Sequence, residues 1–182
     1  MTRKKHVTIV HKANVLRIGD GMFIDACHAV AKEFPAVQVD DVIVDAMMAH
    51  VVRAPERYDV IVTTNMFGDI LSDEAAELAG GLGLGASLNA GADHGVAQAA
   101  HGSAPSIAGQ DKANPTALII SAGMMLMWLS ARLNRPEFAR AGAAIEKAID
   151  LTLDDPATRT GDLGGILGTK AFTQALIRNL IA

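Results

Sequence analysis

The sequence predicts an α/β fold, and three observations predict it. Short apolar runs with β-type residues, Val7-Thr8-Ile9-Val10, Val37-Gln38-Val39 and Asp59-Val60-Ile61-Val62-Thr63, are each followed by a stretch with helical spacing. The third run empties through a tight turn into Asn65-Met66-Phe67-Gly68-Asp69-Ile70-Leu71-Ser72-Asp73-Glu74-Ala75, a strand–turn–helix unit. Half of the residues are apolar but only 4% are aromatic, so Ala, Val, Leu, Ile and Met must build the core.

Taken in order, the first run leads into His11-Lys12-Ala13-Asn14-Val15. A lysine just past a buried strand is either a solvated loop residue or a positioned cation. Gly19-Asp20-Gly21 is a turn holding a helix N-cap candidate, and residues 22–34 read as an amphipathic helix that Pro35 stops. Cys27 lies in that pattern as a small core residue; a lone cysteine gives no disulfide framework. Residues 37–39 alternate as a strand, and residues 41–53 form a helix capped by Asp41. Within it Val44-Asp45-Ala46-Met47-Met48 sets an acid among apolar neighbours, which points to a cation or a hydrogen-bond cluster. Met47, Met48 and His50 read as packing residues.

Asp69 and Asp73 are four residues apart, which puts both carboxylates on one helix face, one turn apart. Like charges so placed repel unless a cation sits between them, and oxygen ligands of this kind suit Mg²⁺ or Mn²⁺ rather than zinc. The competing explanation is electrostatic: acids near a helix start complement its dipole with no function at all. The glycine-rich run Gly80-Gly81-Leu82-Gly83-Leu84-Gly85 follows, then a strand at 86–89 and a loop at 91–95. Residues 101–115 are too rich in Gly, Ser, Pro and Ala for a regular element and too long for an idle connection. Small residues there let backbone N–H groups approach a ligand, or the segment is a surface loop ending at the helix start Asn114-Pro115. No Gly-x-Gly-x-x-Gly stands between a strand and a helix with an acid about twenty residues on. Residues 115–133 form a long apolar helix whose Met124, Met125, Met127 and Trp128 suit packing against a helix or a subunit. An amphipathic helix at 137–153, a turn-rich linker from Thr160 to Gly165 and a last helix at 169–181 complete the chain.

The net charge of −4 gives no electrostatic case for a nucleic-acid partner, and Arg3-Lys4-Lys5 is a lone basic run at a frayed end. No secretory apolar region follows Met1. The longest apolar stretch, 117–133, is interrupted by Ser121, Gly123, Ser130 and Arg132, so no membrane crossing is expected. The simplest expectation is a soluble cytoplasmic protein of a reducing compartment.

Residues 65–84 closely resemble the signature of the metal-dependent β-decarboxylating dehydrogenases that act on isopropylmalate, isocitrate, homoisocitrate or tartrate. Lys12-Ala13-Asn14-Val15-Leu16 resembles the phrase that the family's catalytic lysine opens, and the likeness runs from Val7 to the C-terminus. The resemblance implies an isopropylmalate dehydrogenase-like fold, present as its C-terminal portion. Residues 1–80 would be the later part of the substrate and dimerisation domain, and 81–182 the later part of the cofactor-binding domain. It implies that Asp69 and Asp73 bind Mg²⁺ or Mn²⁺ and that Asp45 is a third ligand supplied to the neighbouring subunit. Lys12 and Asp45 would be the catalytic residues, the lysine moving the proton of the substrate hydroxyl. His101, Gly102, Ser103, Ala104, Ser106, Ala113 and Asn114 would hold the adenosine end of NAD or NADP. The implied reaction oxidises a (2R)-hydroxy acid and releases CO₂, in a homodimer whose sites draw on both chains.

The sequence departs from the family in this loop. NAD-using members carry an aspartate where this chain has Ser106, NADP-using members a lysine and tyrosine where it has Ser106-Ile107, and Gln98-Ala99-Ala100 replaces Glu-Pro-Val. Full members also carry an N-terminal half with substrate-clamping arginines and a tyrosine that works with the lysine. The alternative expectation is therefore a truncated, non-catalytic chain or partner subunit that keeps the fold without turnover.

Overall fold

The computed structural model of the chain describes residues 3–181, so the outermost residues of the two expected segments, 1, 2 and 182, lie outside the described residues. The chain forms two compact units, one ending at Leu78 and the other beginning at Ala79.

In the first unit β1 (His6–His11) lies between β2 (Gln38–Ile43) and β3 (Val60–Thr63), parallel to both. Parallel neighbours need long crossovers, and here α1 (Gly19–Ala31) and α2 (Val44–Arg53) supply them. The central strand is buried from Thr8 to His11, because helices cover both faces of the sheet. On one face Val10 is buried with Met47, Val51 and Leu71, the last from α3 (Asn65–Leu78). On the other, Val7, Ile9, Val39 and Val62 meet Phe23, Cys27, Val30 and Phe34 around an open apolar groove of about 440 Å³. Gly68 brings α3 close to the sheet, since a Cβ there would stand 3.3 Å from the Thr63 methyl.

Several expected boundaries move for physical reasons. β2 runs on through Asp40 and Asp41 to Ile43, because each of its residues from Gln38 pairs with one of β1. That ladder outweighs the capping preference of Asp41, whose carboxylate instead meets His28 Nε2 at 3.0 Å. Helix α2 accordingly starts at Val44 with no side-chain cap. Helix α1 starts with Ile18 at its N-cap, Asp20 lies inside its first turn, and the helix ends at Ala31, before Phe34. Pro35 disfavours helical backbone at Phe34. Cys27 is half-buried on the groove wall rather than in the core; burial raises its thiol pKa, and the nearby Asp41 charge adds to that.

The second unit holds an antiparallel hairpin, β4 (Ala86–Ala90) with β5 (Gly95–Ala99), packed on α4 (Thr116–Leu133). The sequence Gly-Val-Ala-Gln-Ala carries one β-branched residue, so β5 shows no strand signal of its own; pairing and packing create it. Helices α5 (Pro136–Asp154) and α6 (Thr169–Ile181) complete the core, where Ala148, Ile149, Phe172 and Leu176 are buried among Ile119, Ile120 and Ile145. Met125 and Trp128 pack on Gly95, and Met127 on Gly142. Among the described residues α4 is the one helix long and apolar enough to cross a bilayer, with 18 residues and mean hydropathy 1.5, contrary to the expectation that no stretch would suffice. The hairpin and α5 pack against parts of it, while Leu118, Met124, Met127 and Leu133 stay exposed.

Candidate functional site

Parallel strands end at one edge of a sheet, and loops at that edge are where such folds collect functional groups. His11 stands opposite Ile43, and Val10 opposite Thr63. Lys12 therefore leaves β1 at the same edge where Asp45 opens α2 and Asn65 opens α3. The structure brings Lys12 and Asp45 together: the ammonium donates to Asp45 Oδ1. That hydrogen bond, with one from Asp45's own backbone N–H, holds the Asp45 carboxyl below its ordinary pKa.

The backbone at Lys12 is fixed from both sides. Its N–H donates to Asp20 Oδ2 at 2.5 Å, and its carbonyl accepts from Val15 N at 2.9 Å and Leu16 N at 2.8 Å. The next N–H, of Ala13, donates to His11 Nδ1 at 3.1 Å. The sequence marks Asp20 as a capping candidate, and its only sign of this contact is an acid eight residues past the lysine.

Asp69 and Asp73 lie one turn apart on α3, both exposed. Among the described residues no ion pair or side-chain hydrogen bond engages either carboxylate. Ser72 Oγ donates only to the backbone carbonyl of Asp69, at 3.1 Å. Two hard oxygen donors on an open face fit Mg²⁺ or Mn²⁺, which accept carboxylates and keep several waters. Within a single chain, however, Asp45 does not join them: no group of three metal-ligating side chains occurs among the described residues.

The candidate cofactor loop lies in the second unit. His101, Gly102, Ser103, Ala104, Ser106 and Ala113 are exposed, and Asn114 is buried. His101 Nδ1 lies 2.9 Å from the Gly102 carbonyl, and Ala104 has a left-handed backbone with φ 45°. Gln110 Nε2 donates to the Ser106 carbonyl at 2.8 Å, bracing the turn. The Ala113 carbonyl accepts from Thr169 Oγ1, tying the loop to α6. Asn114 is held at both ends, since its Oδ1 accepts from Thr116 N at 3.0 Å and its Nδ2 donates to Asp162 Oδ2 at 2.9 Å. Gly83 makes this possible, because a Cβ there would fall 2.7 Å from Asp162 Oδ2 and 2.9 Å from Asn114 Nδ2. Neither Gly83 nor Asp162 stood out as a site residue in the sequence, for the contact joins segments that only folding brings together.

A sequence model of the isocitrate/isopropylmalate dehydrogenase family matches residues 1–178. An isocitrate/homoisocitrate dehydrogenase of Thermus thermophilus is 51% identical over 97% of this chain and 51% of its own length. A 3-isopropylmalate dehydrogenase of Methanothermobacter thermautotrophicus is 47% identical over 96% of this chain and 50% of its own. The crystal structure of isocitrate dehydrogenase from Methylococcus capsulatus superposes with a TM-score of 0.89 at 42% identity, again over 97% of this chain and 51% of that one. The chain thus spans about half the length of the relatives it matches.

Proposed function

Because the chain belongs to the isocitrate/isopropylmalate dehydrogenase family, we propose that it supplies the metal-binding and proton-transfer groups of an NAD(P)-linked oxidative decarboxylation. The substrate is a (2R)-hydroxy acid of the isopropylmalate, isocitrate or tartrate kind. One observation carries the reading: Lys12 and Asp45 are paired at the strand edge, while Asp69 and Asp73 stand exposed and unengaged one turn apart on α3. Asp69 and Asp73 would hold Mg²⁺ or Mn²⁺ together with Asp45 of a second copy, and His101 to Asn114 the adenosine end of the cofactor. When bound, the ion would supply positive charge against a substrate oxygen and the cofactor would provide the hydride acceptor.

The remaining work falls to the chain's own side chains. Asp45, held ionised by Lys12, is ready as an anionic ligand at neutral pH. Lys12 Nζ sits on a flexible stem; as the neutral amine its lone pair would take the proton of a substrate hydroxyl within hydrogen-bond reach, and the ammonium so formed would return it. A homodimer is supported by the apolar side chains left exposed on the same helix as the paired acids, Met66 and Ile70 on α3. Calorimetry with Mn²⁺ on the wild type and on Asp73→Asn tests the site: affinity should fall at least about tenfold on losing one charged ligand. Equal affinities would contradict the assignment.

A further inference from the structure

We propose that Asp20 is a positioning residue for Lys12, an inference that rests on the reading of Lys12 as the proton-moving group. Asp20 is 6% exposed, and burying a carboxylate is unfavourable unless something engages it. Among the described residues it has no ion-pair partner. What engages it is the backbone N–H of Lys12, at 2.5 Å, a charge-assisted hydrogen bond. The carbonyl of the same residue is taken up by Val15 and Leu16, and the N–H of Asp20 donates in turn to the Leu16 carbonyl at 3.0 Å. Residues 12–20 therefore close on themselves, with Lys12 at one end and the Asp20 carboxylate at the other. With its N–H and carbonyl both engaged, Lys12 has only its side chain free, and that side chain reaches Asp45.

The geometry gives Asp20 a task that helix capping does not explain, for α1 has no side-chain cap hydrogen bond and Asp20 lies inside its first turn. A lysine has four rotatable bonds beyond Cα, so its ammonium is aimed only as well as its backbone is held. Asp20 holds it without touching the ammonium. Removing the carboxylate should loosen the Lys12 backbone and cost the ammonium its partner, while β1 and its ladders stay in place.

NMR of the full chain tests this without turnover, so a failure of the catalytic reading leaves the result intact. Two signals are followed: hydrogen exchange of the Lys12 backbone amide, and the ammonium cross-peak of Lys12, which persists only while a partner holds it. In Asp20→Ala the amide should exchange about ten- to a hundredfold faster, the loss expected for one charge-assisted hydrogen bond, and the ammonium peak should vanish. Asp20→Asn, which keeps an acceptor oxygen, should retain both. Amides of Ile9 and Val10 in β1 should exchange as in the wild type. Should alanine fail to fold, Asp20→Ser, whose hydroxyl stops short of the Lys12 amide, takes its place with the same expected outcome. Unchanged Lys12 signals would overturn the proposal, and so would loss of protection throughout β1, which would make Asp20 a structural staple. Lys12→Met, read by turnover in the complete enzyme, tests the catalytic reading separately.

Discussion

Asp59 shows how one residue's surroundings set a pH dependence. Burial raises its carboxyl, but the Arg3 hydrogen bond and charge, helped by the nearby backbone N–H groups of His6 and Lys4, outweigh that and leave it below its ordinary pKa. The unfolded chain thus takes up the proton first as pH falls. Its stabilising contribution is complete above the unfolded pKa, about 4, and is lost as pH drops toward the folded value. Arg3→Ala should flatten the acid limb of a stability-against-pH curve measured by urea denaturation; an unchanged limb would show that Arg3 does not set it. Ser106 makes a different point at the same scale. It offers no charge to a ribose diol and no repulsion to a 2′-phosphate, so the chain should discriminate weakly between NAD and NADP. Ser106→Asp should move the ratio of the two dissociation constants toward NAD by about tenfold, the order of one charge-assisted hydrogen bond. A ratio that does not move would place position 106 away from the ribose.

Among the elements, α6 is where the second unit is most exposed to a single change. Phe172 is fully buried between Ala148, Ile149 and Leu176. Phe172→Ala should cost about 3–5 kcal/mol through lost burial and the cavity left behind. The chain's single tryptophan, Trp128, lies in this unit, so its fluorescence in urea reads this stability directly. A midpoint like the wild type's would mean that α6 contributes little to the core. The same elements show what a sequence makes legible. Helix α6 was readable to the residue, because its apolar spacing is regular and a glycine-rich turn precedes it. The β3–α3 junction was readable because Thr64 alone separates strand from helix. Strand β5 was not, since its composition has no β preference and its pairing with β4 decides the matter. Nor was the far half of β2, where two aspartates look like a helix start until β1 lies beside them. In the candidate site, the acid at position 45 pointed to a cation or a hydrogen-bond cluster because its neighbours in the chain are apolar; its side chain is exposed instead, and it pairs with Lys12. Asp20 and Asp162 were silent because an acid that accepts from a distant amide has no spacing to betray it.

Across the whole molecule the proposed site is unfinished in one copy. The first unit carries four of its groups, but Asp45 pairs with Lys12 and forms no three-ligand group with Asp69 and Asp73 among the described residues. A second copy related by a two-fold axis would supply what each lacks, twice over. Complementation by metal binding tests that claim most directly. Asp45→Asn and Asp73→Asn are prepared separately, and each alone should bind Mn²⁺ poorly, because every site in either homodimer has lost a ligand. Unfolded and refolded together in equal amounts, about half of the dimers should be mixed, each with one site restored, so about a quarter of the wild-type Mn²⁺ sites should return at wild-type affinity. A mixture that binds no more Mn²⁺ than the two variants measured apart would contradict a metal site shared between copies of this chain.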